Sequence, residues 1–204
     1  MAKVKVVVPN HLKSGTETFA DNILIWITRS ITVANRAKPG VAVLGNLFGG
    51  AADTDTGLVE DWFGELNTVQ HTTLKNNLGT MKAVLANSQT SVRIVDAPNI
   101  QGDTDYYAQV RGRYNPKMPK LSVEVADEWK TANLDTKVNT LFHELSHRIL
   151  GTLDLGPQQG YTKVMYGVAN AQSLAKNNLD DALRNAENYG YFIALCNGFT
   201  NQAS

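Results

Sequence analysis

The sequence HELSH, from His143 to His147, lies within an apolar pattern that predicts an α-helix over residues 135–150. Side chains at positions i and i+4 lie above one another on a helix, so the imidazoles of His143 and His147 can reach the same metal ion. Glu144 directly follows the first histidine, which gives the H-E-x-x-H arrangement of two zinc ligands and a general base. The spacing therefore predicts a metal-binding helix that also carries a catalytic carboxylate.

The residues around this motif predict the same helix without reference to the histidines. A buried stripe recurs every three or four positions, and it consists of Val138, Leu141, Phe142, Leu145 and Ile149. Asp135 is the expected N-cap and Gly151 the expected stop. At about 100° per residue, the two histidines fall opposite the stripe, where they can line a cleft. The alternative is a solvated helix face with two incidental histidines, although half of the chain's four histidines lie in this motif.

A third metal ligand is expected after the helix, because catalytic zinc usually has three protein ligands. Gly-Thr-Leu-Asp runs from Gly151 to Asp154. If the chain turns back at Gly151, the Asp154 carboxylate can reach the metal. Judged on its own, Asp154 is equally consistent with a solvated turn residue.

The helix motif followed by G-T-x-D resembles the aspzincins, the family of deuterolysin and peptidyl-lysine metalloendopeptidase. This resemblance implies a zinc-dependent endopeptidase with one Zn²⁺ per chain and peptide or protein substrates. It implies His143, His147 and Asp154 as metal ligands and Glu144 as the general base. It also implies a zincin-like fold.

The family pattern continues with a tyrosine three residues after the aspartate, followed by a glycine. This chain has Pro157 and Gln158 at those positions, and an insertion would bring Tyr166 and Gly167 into their place. Tyr161 is a second candidate. The family's tyrosine donates a hydrogen bond to the oxyanion of the reaction, so the resemblance leaves this role open between Tyr161, Tyr166 and neither.

A C-terminal helix is predicted from about residue 179 to 196, and residues 185–192 within it resemble the aspzincin stretch N-A-D-S-Y-x-x-F. Peptidyl-lysine members bind the lysine after the cleaved bond with the Asp of this stretch and a Glu three residues later. Glu187 stands at the first position here and Gly190 at the second. The resemblance implies Glu187 as a substrate-binding residue and a mild preference for Lys or Arg, without strict lysine specificity. The alternative for Glu187 is a solvated helix charge.

Elsewhere the patterns are helical in the N-terminal half and β-rich in the middle. Helices are expected at residues 16–36, after residue 55 and at residues 68–86. Strands are expected at residues 3–8, 91–95, 106–114 and 121–125, the last three forming a small antiparallel sheet. Residues 41–50 are consistent with a strand or a loop. These patterns predict one domain, residues 1–204, of a mainly helical α+β class.

Composition bears on partners and location. The 19 basic and 19 acidic residues give a formal net charge of zero, which does not favour nucleic-acid binding. No apolar run approaches the roughly 20 residues of a membrane span. Cys196 is the only cysteine, which excludes an intramolecular disulfide, and no secretory signal opens the sequence. We therefore expect synthesis in the cytoplasm, with signal-independent export as the alternative.

Two other functions compete with an active protease. One is a non-catalytic binding module in which zinc only staples helix to loop, and the other is a vestigial protease domain of a delivered toxin. A structural zinc site normally has a fourth protein ligand, whereas His11 and His71 are distant in sequence and no cysteine is near. The presence of Glu144 also favours catalysis.

Overall fold

The computed structural model describes residues 4–13, 16–39, 54–97 and 107–200. Its helices are α1 Phe19–Arg36, α2 Thr54–Phe63, α3 Thr68–Ala86, α4 Asp127–Thr131, α5 Leu134–Leu150, α6 Val168–Asn177, α7 Leu179–Ala182 and α8 Ala186–Cys196. Its strands are β1 Lys5–Val7, β2 Ser91–Asp96, β3 Ala108–Val110 and β4 Lys120–Val125. Residues 41–50, for which strand and loop were both open, lie outside the described residues, as does residue 106. The mainly helical α+β class is confirmed.

The N-terminal helices form where the apolar spacing predicts them. In α1 the buried face carries Phe19, Ile23, Trp26, Ile27 and Ala34. Helix α3 has the predicted bounds because Asn67 caps it: the Asn67 side chain accepts hydrogen bonds from two backbone N–H groups of the first turn. None of the described helices combines the length and the hydropathy that a membrane crossing requires.

The four strands form one sheet in the order β1-β2-β4-β3. The expectation that β2, β3 and β4 form an antiparallel sheet is wrong for one of the two pairs among them, because β2–β4 is parallel. Strand β1, which was not expected in this sheet, also pairs in parallel with β2. Only β3–β4 is antiparallel. A parallel pair needs a long crossover, and the helices α1 to α3 provide one between β1 and β2. In strands of three to six residues the apolar pattern is too short to separate parallel from antiparallel pairing, so the sequence did not supply the direction.

Helix α5 carries the H-E-x-x-H motif, ends where predicted and begins one residue before the predicted start. Its N-cap is Asn133, whose side chain accepts the Thr136 N–H at 2.8 Å, so the assignment of the cap to Asp135 is wrong. Asp135 instead accepts hydrogen bonds from Thr200 at the other end of the described chain. At its C-terminus Gly151 has φ 73°, the left-handed conformation that glycine adopts without strain.

The predicted C-terminal helix is divided, because residues 183–185 leave the helical path between α7 and α8. At this break the Leu153 N–H donates to Arg184 O at 2.8 Å, and the Ala186 N–H donates to Leu153 O at 3.0 Å. These bonds form a short parallel bridge to the segment after α5. A long-range pairing therefore replaces helical hydrogen bonds that the local sequence alone would favour.

Helix α8 packs directly on α5, and Gly190 lies at their closest approach. A Cβ atom at Gly190 would lie 2.9 Å from Asn139 O and 3.3 Å from His143 Cβ, with Asn139 Oδ1 closer still. Any larger residue would push the helices apart. The close packing of α8 at Gly190 therefore helps to fix the position of the His143 side chain on α5.

We predict that Gly190→Ala destabilises the protein by about 1–3 kcal/mol, because the added methyl overpacks the α5–α8 interface. Gly79→Ala is the matched control: it is also within a helix, but nothing lies within 4 Å of its new Cβ. The control should gain up to about 1 kcal/mol from the better helix propensity of alanine. Urea unfolding of both variants measures the difference, and equal changes would contradict the close helix contact.

Candidate metal centre

Three side-chain atoms converge on one point between α5 and the segment that follows it. The Nε2 atoms of His143 and His147 lie 3.1 Å apart. Asp154 Oδ1 lies 3.0 Å from the Nε2 of His143 and 3.1 Å from that of His147. The structure thus brings together the three residues that the sequence and the family resemblance placed at a metal.

The other ring nitrogen of each histidine determines what these atoms offer. The Nδ1–H of His143 donates to Glu187 Oε2 at 2.8 Å, and the Nδ1–H of His147 donates to Thr152 O at 2.7 Å. Carboxylate and carbonyl oxygens only accept hydrogen bonds, so each Nδ1 carries the hydrogen. In a neutral imidazole the lone pair is then on Nε2, the nitrogen that faces Asp154.

The electrostatics of the three residues favour a positive charge between them. Burial alone would lower the pKa of His143, but its hydrogen bonds to Asp154 and Glu187 outweigh burial and raise that pKa well above the usual value. Burial alone would raise the pKa of Asp154, but hydrogen bonds to both histidines hold it well below the usual range. Two imidazole nitrogens and a carboxylate oxygen are typical zinc donors, so these residues fit a zinc ion.

Asp154 reaches this position because its neighbours are tied on both sides. Gly151 reverses the chain at the end of α5. Leu153 then pairs with Arg184, in the break between α7 and α8, and with Ala186, the first residue of α8. The turn is thus attached to α8, and Asp154 can point back at α5.

Glu144 lies beside the three candidate ligands, lines a cleft and is 5% exposed. The cleft is lined by Ala108, Gln109, Val110, Gly112, Glu144, His147, Thr152, Leu153 and Asp154. Burial raises the pKa of Glu144, while the two histidines and a hydrogen bond from the Val110 backbone oppose the rise. Strand β3 therefore borders the cleft, and its residue Val110 contacts Glu144 through a main-chain group.

The two candidate tyrosines have different surroundings. The ring of Tyr166 lies 6.0 Å, between centroids, from the ring of His143, so Tyr166 borders the metal centre. The Tyr161 hydroxyl donates to Asp181 Oδ2 at 2.5 Å, and burial together with this bond raises the pKa of Tyr161 to about 12. Of the two, only Tyr166 has a described contact with a metal-centre residue.

Glu187, the expected substrate-binding residue, lies in the first turn of α8 behind His143. One carboxylate oxygen accepts from His143 Nδ1, and the other accepts from the Gly167 N–H at 2.8 Å. Its side chain is 12% exposed. The structure therefore places Glu187 against a metal ligand and the loop before α6.

Several groups that support the site were not recognised in the sequence. Thr152 supplies the carbonyl for His147, and its hydroxyl lies 2.7 Å from Ser146 Oγ. Ser146 in turn donates to His143 O at 2.7 Å. Thr152 is the second residue of G-T-x-D, so its place in the motif was a usable signal. Val110 and Gly167 act through backbone N–H groups. Almost every residue type has such a group, so the sequence could not identify these two positions.

Comparisons with known proteins point to one family. The family model described as lysine-specific metallo-endopeptidase, the aspzincins, matches residues 49–194. An extracellular protease of Aeromonas hydrophila is 26% identical over 205 residues, which cover 94% of this chain and 51% of that protein. A peptidyl-Lys metalloendopeptidase of Armillaria mellea is 31% identical over 136 residues, which cover 64% of this chain and 33% of that protein. The chain thus spans about half of the first relative and a third of the second.

A solved structure supports the fold. A zinc peptidase from Grifola frondosa superposes with a TM-score of 0.63 and 20% identity, over 94% of this chain and 99% of that one. At this identity the likeness concerns the fold, and it confirms the zincin-like architecture.

We predict that Asp154→Ala weakens zinc binding by at least about 10²-fold, because loss of a ligand should exceed the 10- to 100-fold cost of losing a supporting contact. Asp61→Ala, at an exposed position on α2, is the control and should bind zinc as the wild type does. Metal content after dialysis, measured by mass spectrometry, compares the two. Stoichiometric zinc in the Asp154 variant would exclude that residue as a ligand.

Proposed function

We propose, since the chain belongs to the aspzincin family of zinc metalloendopeptidases, that it hydrolyses internal peptide bonds of peptide or protein substrates with one Zn²⁺ per chain. The observation that carries this proposal is the position of Glu144. This buried acid lies beside the three converging candidate metal ligands and lines a cleft. A zinc site that only stapled the fold would have no use for a carboxylate at this place.

His143, His147 and Asp154 would hold the ion. When bound, zinc polarises the scissile carbonyl and lowers the pKa of the attacking water. The protein keeps the histidines in the tautomer that this binding needs, through Glu187 and the Thr152 carbonyl.

Glu144 is the general base of the proposed reaction. Its carboxylate accepts a proton from the attacking water and later transfers it to the leaving amine. The hydrogen bond from the Val110 backbone stabilises the charged carboxylate that acts as the base. Burial keeps the group away from bulk water, so the proton stays near the reacting atoms.

The substrate would bind as an added strand along β3. One edge of β3 pairs with β4, and within the described ranges no strand pairs with its other edge. All three residues of β3 line the cleft beside Glu144 and His147. Main-chain hydrogen bonds to an exposed strand edge hold extended peptides with little regard to side chains.

Tyr166 is the proposed donor to the oxyanion. Its ring lies next to His143, on the segment that Glu187 holds through Gly167. The Tyr161 hydroxyl is already bonded to Asp181 and also lies 3.4 Å from Asn178 Nδ2. The proximity of the Tyr166 ring to His143 therefore favours Tyr166 for the role that the family resemblance left open.

We expect Glu144→Gln to bind zinc normally and to lose activity by about 10²- to 10⁴-fold, because the amide has the shape of the acid but cannot accept the proton. Cleavage of a mixed peptide library by wild type and variant, with and without a chelator, measures this loss. Chelator-sensitive cleavage by the wild type separates an active protease from a binding module or a vestigial domain. Near-normal cleavage by the variant would exclude Glu144 as the base.

We also expect Tyr166→Phe to lower kcat by about 10²-fold or more, since an oxyanion donor acts mainly in the transition state. Tyr161→Phe is the matched control, and it should lose some stability but retain kcat because its hydroxyl bonds to Asp181. Steady-state kinetics on one peptide compare the two. The opposite ranking would assign the oxyanion role to Tyr161, and no loss in either would show that neither donates.

A further inference from the structure

We propose that Glu187 is a positioning residue that holds the imidazole of His143 and the loop carrying Tyr166 with a single carboxylate, and that it does not receive a basic side chain of the substrate. This inference rests on the proposed function for its catalytic consequence. It differs from the role that the family resemblance implies for this position.

The contacts of Glu187 use both of its oxygens. Oε2 accepts from His143 Nδ1 at 2.8 Å, and Oε1 accepts from the Gly167 N–H at 2.8 Å. The Tyr191 hydroxyl, whose ring stacks on Trp62, also interacts with this carboxylate. A carboxylate can accept on both oxygens at once, which an amide cannot do.

The bond to His143 determines the chemistry of that ring. Because Nδ1–H is held by Glu187, the lone pair lies on Nε2 and the ring plane is fixed towards Asp154. Supporting carboxylates of this kind raise the basicity of a ligating imidazole and prevent its rotation. Glu187 therefore contributes to metal affinity without touching the metal.

The bond to Gly167 gives the same carboxylate a second task. Gly167 directly follows Tyr166, whose ring borders His143. One side chain thus sets the distance between a metal ligand and the proposed oxyanion donor. The loop between Asp154 and Tyr166 is longer than in the family pattern, so the G-T-x-D turn does not lead directly into Tyr166. The bond from Gly167 to Glu187 therefore holds the end of this loop.

The surroundings of Glu187 do not suit a pocket for lysine. The side chain is 12% exposed, and a substrate ammonium would compete with bonds already made on both oxygens. The second acid of the lysine-binding members is replaced by Gly190, where a Cβ would already lie 2.9 Å from Asn139 O. A carboxylate could not be accommodated at that position without moving α8. Any preference for basic residues must therefore come from elsewhere in the cleft.

The test compares Glu187→Gln and Glu187→Asp with Glu128→Gln, an exposed acid on α4 as the matched control. The glutamine amide has one accepting atom for two donors, so either His143 or Gly167 loses its partner. Competition with a chromophoric chelator should show zinc affinity about 10- to 100-fold weaker in Glu187→Gln and unchanged in the control. Glu187→Asp keeps the charge but is one methylene shorter, so its affinity should fall between these values.

Peptide-library profiling with zinc-saturated protein gives the second measurement. We expect Glu187→Gln to have a lower kcat and the same residue preference after the scissile bond as the wild type. Zinc affinity within twofold of the wild type would overturn the proposal. So would a rise in KM confined to peptides with Lys or Arg after the bond, since that result would place Glu187 in the substrate pocket.

The zinc titration needs no turnover, so it decides the positioning role even if the wild type cleaves no peptide. In that case the proposed function fails and the role of Glu187 in holding His143 is tested separately. Urea unfolding of each variant shows whether a weaker affinity reflects a general loss of stability. If Glu187→Gln does not fold, the comparison of Glu187→Asp with the control decides the proposal by the same criteria.

Discussion

The structure of the C-terminal third depends on holding three hydrogen-bond acceptors against one another. The Nε2 atoms of His143 and His147 and the Asp154 carboxylate meet at about hydrogen-bond distance, although the neutral tautomers put no hydrogen between them. Such an arrangement is unfavourable unless a cation or a proton joins it. The fold has to supply the constraint: the histidines share one face of α5, Gly151 reverses the chain, and the bridge from Leu153 to α8 keeps the turn from moving away.

Helix α8 is the element that makes this constraint rigid. Its first residues form a buried polar network in which the Asn185 side chain donates to Asn188 Oδ1, and the Asn188 side chain donates to Trp62 O and Ala171 O. Both asparagines are essentially unexposed, so their bonds have no competition from water. The network joins α2, α6 and α8, while Gly190 brings α8 against α5. Within residues 185–192, Asn185 and Asn188 thus hold helices together.

The sequence predicted the features that depend on contacts between residues close in the chain, and it missed those that depend on contacts between distant residues. The two histidines, Glu144 and the stop at Gly151 depend on helix geometry within one turn, and all lie where the spacing placed them. The convergence of Asp154 with the two histidines could be predicted only with the family resemblance, because it depends on the pairing of Leu153 with residues far along the chain. The break before α8 and the parallel strand pairs were missed for the same reason.

The N-cap of α5 was misplaced by two residues because Asn133 and Asp135 are both good caps, and only the contact of Asp135 with Thr200 distinguishes them. The prediction of a single domain and that of synthesis in the cytoplasm both stay predictions.

At Glu187 the proposed positioning role differs from the substrate-binding role that the family resemblance implies. The resemblance places an acid in the first turn of α8, and the structure has one there. The partners of that acid are set by other parts of the chain: the loop that reaches Gly167 is longer than the family pattern, and Gly190 lets α8 approach α5 closely. A loop that supplies an N–H to one oxygen and a helix that supplies His143 to the other leave the carboxylate little capacity for a substrate cation. On this proposal, the contacts that His143 and Gly167 make with Glu187 give the acidic residue a supporting role in place of the recognition role that the resemblance implies.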